Sequence, residues 1–242
     1  MHPCVWTDPD VDWAAYDAVV IRSTWDYFDR PAEFLAWVDR VGPLARRFVN
    51  PPDLVVWNAH KGYLRDLHER GVPVVDTQWI NAGGVATVEH EARIVKPAVS
   101  GGAIGLRRVV AGERIEADVD LLVQPFLASI VDEGELSLLY AGGKLSHMVR
   151  KVPAPGDIRV QPEFGSVVTR EDPSGEALEA AGAVLAAVGR ELPYARVDLV
   201  RAADGTLRLI ELEIIEPQLY LRWDEGSAAR FASAIAAAAR ST

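Results

Sequence analysis

Disulfides are excluded first: the 242 residues hold one cysteine, Cys4, so no internal bridge can staple the fold. The five histidines form no metal-ligand pattern with it. Missing too is any run of about eighteen apolar residues, so no helix is predicted to cross a bilayer. The opening Met1-His2-Pro3-Cys4-Val5-Trp6-Thr7-Asp8 lacks the basic and apolar blocks of a signal peptide, and a soluble, cytoplasmic chain is expected. Positive charge is scarce: 25 Lys and Arg stand against 35 Asp and Glu, a formal net charge of −10. Such a chain is a poor non-specific partner for nucleic acid, although a local basic cleft for a phosphate ligand stays open. Glycine (19) and proline (15) are too few for a collagen-like or linker chain, and 49% hydrophobic with 25% charged residues is a globular proportion.

What is present alternates between helical and extended patterns, which places the chain in the α/β (α+β) class. Ala18-Val19-Val20-Ile21 reads as a buried strand. Pro31 then opens a helix with Phe34, Leu35, Val38 and Val41 on one face, stopped by Gly42-Pro43. A second helix is predicted after Asn58 as N-cap, with Tyr63, Leu64 and Leu67 inward and Gly71 as the stop. Val72-Pro73-Val74-Val75 starts another strand. Extended segments follow at 94–96, 106–110 and 121–123, and Gly142-Gly143 joins 136–140 to 144–149 in a hairpin. A helix is expected from about Glu176 to Glu191, then a final hairpin of 195–201 and 207–214, then an Ala-rich helix with Phe231 and Ile235 on one face. Soft boundaries near 57 and 124 divide the chain into 1–57, 58–123 and 124–242, with no flexible linker at either.

The final hairpin is the most informative segment. If Asp204-Gly205 is a two-residue turn, Asp198 faces Glu211 and Arg196 faces Glu213, so three carboxylates share one side of the sheet. Val197, Leu199, Ile210, Leu212 and Ile214 then take the other side; a three-residue loop would break this pairing. Like charges in opposition need compensation, and Mg²⁺, which takes oxygen ligands from a few carboxylates and completes its shell with water and phosphate, is one answer. A solvated face neutralised by Arg196 is the other. By the same counting across Gly142-Gly143, Glu135 faces Arg150 and His147 packs on the opposite side with Leu145 and Val149.

Ser100-Gly101-Gly102-Ala103-Ile104-Gly105 follows Lys96-Pro97 and is not a P-loop, because no Gly-Lys-Ser/Thr closes it and a strand comes next. It is either an ordinary turn or a flap whose backbone N–H groups meet phosphate oxygens. Arg22-Ser23-Thr24-Trp25-Asp26 directly follows a buried strand, where ligand-binding loops gather. Arg22 could hold a carboxylate and Asp26 an amine; equally, Trp25 and Tyr27 could pack under the next helix while Asp26 caps a turn.

The order of these parts resembles the ATP-grasp superfamily, which includes glutathione synthetase and D-alanine–D-alanine ligase. The segments Arg22 to Tyr27, Trp57-Asn58 through Lys61-Gly62-Tyr63-Leu64, and Ser146-His147-Met148-Val149-Arg150-Lys151 are most similar to the glutathione-synthetase-like branch with the cycloserine-forming cyclo-ligase. The resemblance spans roughly residues 5 to 235. It implies a shortened N-terminal α/β lobe, a small β-rich central lobe and a C-terminal mixed α/β lobe. Relatives begin with a further strand and helix, so either this lobe is reduced or the sequence is short of one βα unit. A reduced lobe would leave apolar surface that a second subunit could cover, as in a homodimer.

By resemblance, Lys61 and Lys96 hold ATP phosphates under the flap formed by Ser100, Gly101, Gly102 and Gly105. Gln124, Phe126 and Leu127 form the hinge that reads adenine. Asp198, Glu211 and Glu213 bind Mg²⁺, with Glu213 standing where many relatives carry Asn. Arg159 steadies the transferring phosphoryl group, and Arg150 joins the cations at the nucleotide. Glu135 is either half of a cross-strand ion pair with Arg150, or a ribose-binding glutamate or part of a substrate-facing pair. The implied chemistry is a ligase that activates a small amino-acid-like carboxylate as an acylphosphate for attack by an amine, with no membrane or nucleic-acid partner. The same parts would also serve a phosphotransferase, or a nucleotide-binding module without turnover.

Overall fold

Two antiparallel sheets face each other across a cleft, described by a computed structural model over residues 1–240. Near the N-terminus, β1 (Val19–Val20) pairs in parallel with β2 (Phe48–Val49), and α1 (Pro31–Val41) packs beside them. Pro31 occupies the first helical turn, where its missing N–H costs nothing. The buried face of α1 is Phe34, Trp37, Val38 and Val41. Trp37 takes the place expected of Leu35 because Trp6, Trp13 and Phe48 supply an aromatic cage around it, with ring centroids 5.3–6.1 Å away.

Helices α2 (Pro52–Ala59) and α3 (Tyr63–Glu69) come next. Asn58 is not the predicted N-cap: it lies inside α2, and its amide bonds the outer edge of the last strand instead, Nδ2 to Leu212 O at 2.9 Å and Ile214 N to Oδ1 at 3.2 Å. The Tyr63 hydroxyl accepts from Leu212 N at 3.0 Å. Val72-Pro73-Val74-Val75 is also not a full strand; only Val74 bridges, to Leu209. An edge strand exposes unpaired backbone groups, and here these side chains and this short segment cover them.

The central sheet has the order β3 (Gln78–Ile80), β8 (Leu121–Pro125), β5 (Arg93–Pro97), β6 (Arg107–Val109), flanked by the pair β4 (Val85–Thr87) and β7 (Arg114–Glu116). After the short α4 (Ser129–Asp132), the larger sheet runs β11 (Val167–Glu171), β10 (Lys144–Val152), β9 (Glu135–Ala141), β12 (Tyr194–Arg201), β13 (Leu207–Glu213). Helix α5 (Gly175–Val188) covers one face with the main apolar core, and α6 (Ser227–Arg240) covers the other around Tyr194, Leu139 and Phe231. Ser174 caps α5, and left-handed Gly189 ends it before the expected Glu191.

Both hairpins carry a bulge, and each bulge moves a functional residue. In β12–β13 the connection has three residues, closed by Ala202 N to Thr206 O, so Leu199 faces Leu209 near the turn. The extra residue Ile210 then shifts the ladder, and Asp198 faces Glu211 while Arg196 faces Glu213. The bulge thus restores the pairing that a three-residue loop would have broken. It also turns Ile210 from its expected core position to the cleft, with Leu209 and Leu212 in the core. In β9–β10 the extra residue is Ser146, so Lys151 rather than Arg150 faces Glu135. His147 is buried as expected, edge-on to Phe231, but Leu145 lies on the other face.

Candidate active site

The cleft between the sheets has a volume of about 930 Å³ and is walled by β5, the glycine flap, the 124–127 hinge, the 158–161 loop and β13. Lys61 precedes α3 and is 6% exposed. Its Nζ lies 2.7 Å from Ser100 O, 3.2 Å from Ser100 Oγ and 3.1 Å from Glu211 Oε1, which ties the flap to β13. Lys96, on β5, is buried at the same wall; desolvation lowers its pKa even though Glu211 pulls the other way.

Gly101 lies so close to Phe28 that a Cβ would fall 2.8 Å from the ring, while Gly102 and Gly105 hold left-handed φ of +58° and +74°. The flap therefore rests on the loop that follows β1. Gly101→Ala is expected to push the flap off the Phe28 ring and lower the melting temperature by several degrees, since overpacking by a methyl costs about 1–3 kcal/mol. A thermal melt of the variant beside the wild type checks this. Phe126 and Leu127 line the far end of the cleft, with Arg108 4.3 Å over the Phe126 ring. Gln124 also lines the cleft, and its side chain donates to Thr77 Oγ1 at 2.9 Å.

Asp198, Glu211 and Glu213 each offer an oxygen within 4.8 Å of the other two. Arg196 forks onto Asp198 at 2.8–3.0 Å and pairs with Glu213; Lys151 Nζ lies 3.7 Å from Asp198 and pairs with Glu135. Burial drives Glu213 up to about 7: Arg196 draws it down, but Glu211 and Asp198 repel its charge. For Asp198, burial works upward, yet Arg196 and Lys151 hold the carboxyl below its usual range. Three convergent carboxylate oxygens suit a hard cation such as Mg²⁺; Arg196, Lys151 and Lys61 balance their charge here.

Arg159 reaches the cleft wall, stacked 3.7 Å over Phe164 and forked onto Asp157, Nη2 to Oδ2 at 2.6 Å. Arg150 does not. The Ser146 bulge turns it to the opposite face, where it forks onto Glu171 at 2.7 and 2.9 Å and donates to Glu133 O. Lys151 stands in the site instead, and counting across the glycine turn missed it for that reason. Arg150→Ala should leave turnover within about twofold, because partly exposed ion pairs contribute about 0–1 kcal/mol; a loss of a hundredfold would return Arg150 to the site.

A smaller cavity of about 360 Å³ adjoins the first, sharing Lys61, Ser100, Gly101, Glu211 and Glu213, and is completed by Tyr27, Tyr63 and Glu216. None of residues 22–26 lines either cavity, although Tyr27 does line the smaller one. Arg22 donates to Pro217 O at 3.3 Å, and among the described residues its Nη1 and Thr24 Oγ1 have no partner. Ser23 is exposed, and Trp25 is 61% exposed with its indole N–H 3.5 Å from Glu216 O. Asp26 is turned away, accepting from Trp6 at 3.0 Å and from Arg30, so it is not placed to orient an amine in this cavity. Glu216 was not anticipated, since it lies beyond the paired strands in an irregular segment with no counting rule. Burial and then Glu213 push its carboxyl up to about 8.

Comparison with known proteins agrees with this architecture. The arrangement is that of the ATP-grasp ligases: D-alanine–D-alanine ligase from Bacillus anthracis, solved with ATP, superposes with a TM-score of 0.61 at 12% identity, covering 88% of this chain and 82% of that one. The ligase PsnB, solved with a precursor variant, Mg and ADP, gives 0.59 at 18%, covering 92% and 79%. The likeness becomes specific in one direction. The family model for the N-terminal domain of D-cycloserine synthetase DcsG matches residues 1–50. The cycloserine biosynthesis protein DcsG of Streptomyces lavendulae is 35% identical over 96% of this chain and 87% of its own length. A crystal structure of D-cycloserine synthetase DcsG superposes with a TM-score of 0.84 at 31% identity, covering 98% and 89%. The chain belongs to the D-cycloserine synthetase DcsG family of ATP-grasp ligases.

Proposed function

We propose that the protein is an ATP- and Mg²⁺-dependent ligase that activates the carboxylate of a small amino-acid-like substrate and joins it to an amine of the same molecule, closing a ring. The observation that carries this reading is one cleft lined by Lys61, Lys96, a glycine flap, Glu211 and Glu213, with buried Asp198 converging on the two glutamates. In this division of labour, residues 1–57 and the 22–24 loop serve the substrate, 58–123 the nucleotide, and 124–242 the metal and the phosphoryl transfer. Gln124, Phe126 and Leu127 would receive adenine, and Glu135, held by Lys151, would accept from the ribose.

Asp198, Glu211 and Glu213 would hold Mg²⁺, which when bound neutralises phosphate charge. A substrate carboxylate oxygen attacks the γ-phosphorus and ADP leaves. The amine nitrogen then attacks the acyl carbon, loses its proton, and inorganic phosphate departs. Lys61, Lys96 and Arg159 stabilise charge on the phosphoryl oxygens, and the flap excludes water. Arg159 must release Asp157 to do so. Hydroxylamine tests the intermediate: with ATP, Mg²⁺ and the carboxylate substrate it should intercept an acylphosphate as a hydroxamate in step with ADP release. ADP release without hydroxamate would point to transfer onto an alcohol instead, and no ADP with any acceptor would leave a nucleotide-binding module.

A further inference from the structure

The smaller cavity carries an imbalance of charge. Of the three carboxylates on its wall, Glu211 is paired with Lys61 and Glu213 with Arg196. Glu216 forms no ion pair among the described residues. Arg196 and then Arg22 act on it only at longer range, Arg196 being engaged by Asp198 and Glu213 and Arg22 by Pro217 O, and the Trp25 indole N–H lies beside it. A carboxylate half-buried without a counter-ion is costly, and such a group persists where a ligand completes it. Arg22 itself does not line this cavity, so among the described residues no guanidinium or ammonium group there pairs with Glu216. An unpaired carboxylate on the wall of such a cavity is complementary to a cationic group.

We infer that Glu216 is the counter-charge for an ammonium group that the substrate carries besides its reacting amine. This rests on the ligase reading above. It also answers a chemical requirement of that reading: a second amine in an activated substrate would compete for the acyl carbon unless it stays protonated. A carboxylate in contact favours the protonated, non-nucleophilic form. Glu216 would thus be a positioning and selecting residue, adjoining the phosphoryl site through Glu211 and Glu213.

Calorimetric titration of the full chain with Mg-ADP, and then with D-cycloserine or its N-acetyl derivative, tests the assignment. The wild type should bind D-cycloserine well above the N-acetyl form. In Glu216→Gln that preference should fall at least about tenfold, the scale of one charge-assisted hydrogen bond, with Mg-ADP binding and melting temperature unchanged. Glu216→Asp should restore part of it. A Glu216→Gln protein that keeps the wild-type preference would overturn the inference, as would a wild type that binds Mg-ADP but neither ring compound. Failure of the wild type to bind Mg-ADP would instead remove the ligase reading itself, and this inference with it.

Discussion

Glu211→Gln is expected to lower ADP-forming turnover by about a thousandfold, the scale of losing one preorganised electrostatic contact to the transferring group together with a metal ligand. Glu211 is the carboxylate that touches both halves of the site, 3.1 Å from Lys61 Nζ and within the three-carboxylate cluster. Glutamine keeps its size and one acceptor oxygen but removes the charge. The fold should survive, because Lys61 retains Ser100 as a partner. The Mg²⁺ dependence of whatever turnover remains should shift to higher concentration. ADP release measured across a Mg²⁺ series decides the matter, and wild-type turnover in this variant would sink the metal assignment.

Lys151→Met should destabilise the protein by about 3–5 kcal/mol, the usual effect of leaving a buried charge without its partner. For a chain of this size that corresponds to a melting temperature lowered by about 10 °C. Lys151 is 3% exposed, and the carboxylates of Glu135 and Asp198 raise its pKa despite a large opposing desolvation effect. Remove it and Glu135 has no cation in contact, whereas Asp198 still has Arg196. Adding Glu135→Gln to Lys151→Met should therefore recover a large part of the loss. Thermal melts of the single and double variants form the test, and a double variant no more stable than Lys151→Met would mean that the pair is not coupled.

The difference between Arg150 and Lys151 measures how far pattern reading reaches. Strand alternation is a local rule, and it correctly joined Asp198, Glu211 and Glu213 because two departures cancelled: a three-residue turn and a one-residue bulge at Ile210. In the other hairpin a single bulge at Ser146 had nothing to cancel it, so every later side chain changed face. Ser146 is drawn toward Arg230 on α6, at 2.9 Å, a contact across 84 positions that no local pattern reveals. Asn58 was misread likewise: a good N-cap by type, it is used for the edge of β13, which lies 154 positions away.

By itself the sequence determined the class of fold, through short-range periodicity and turn signals, and the chain order of lysines, glycine loop and carboxylates, to which the family resemblance added their roles; it reached the pairing of Asp198 with Glu211 only because the longer turn and the bulge offset each other. Only the tertiary structure decided that Lys151 and not Arg150 meets Glu135 and Asp198 behind the cleft wall, that Asp26 turns away, and that Glu216 borders the second cavity. Those outcomes depend on bulges and long-range hydrogen bonds. A contact between distant segments can rotate a strand face or claim a side chain without changing anything in the neighbouring residues.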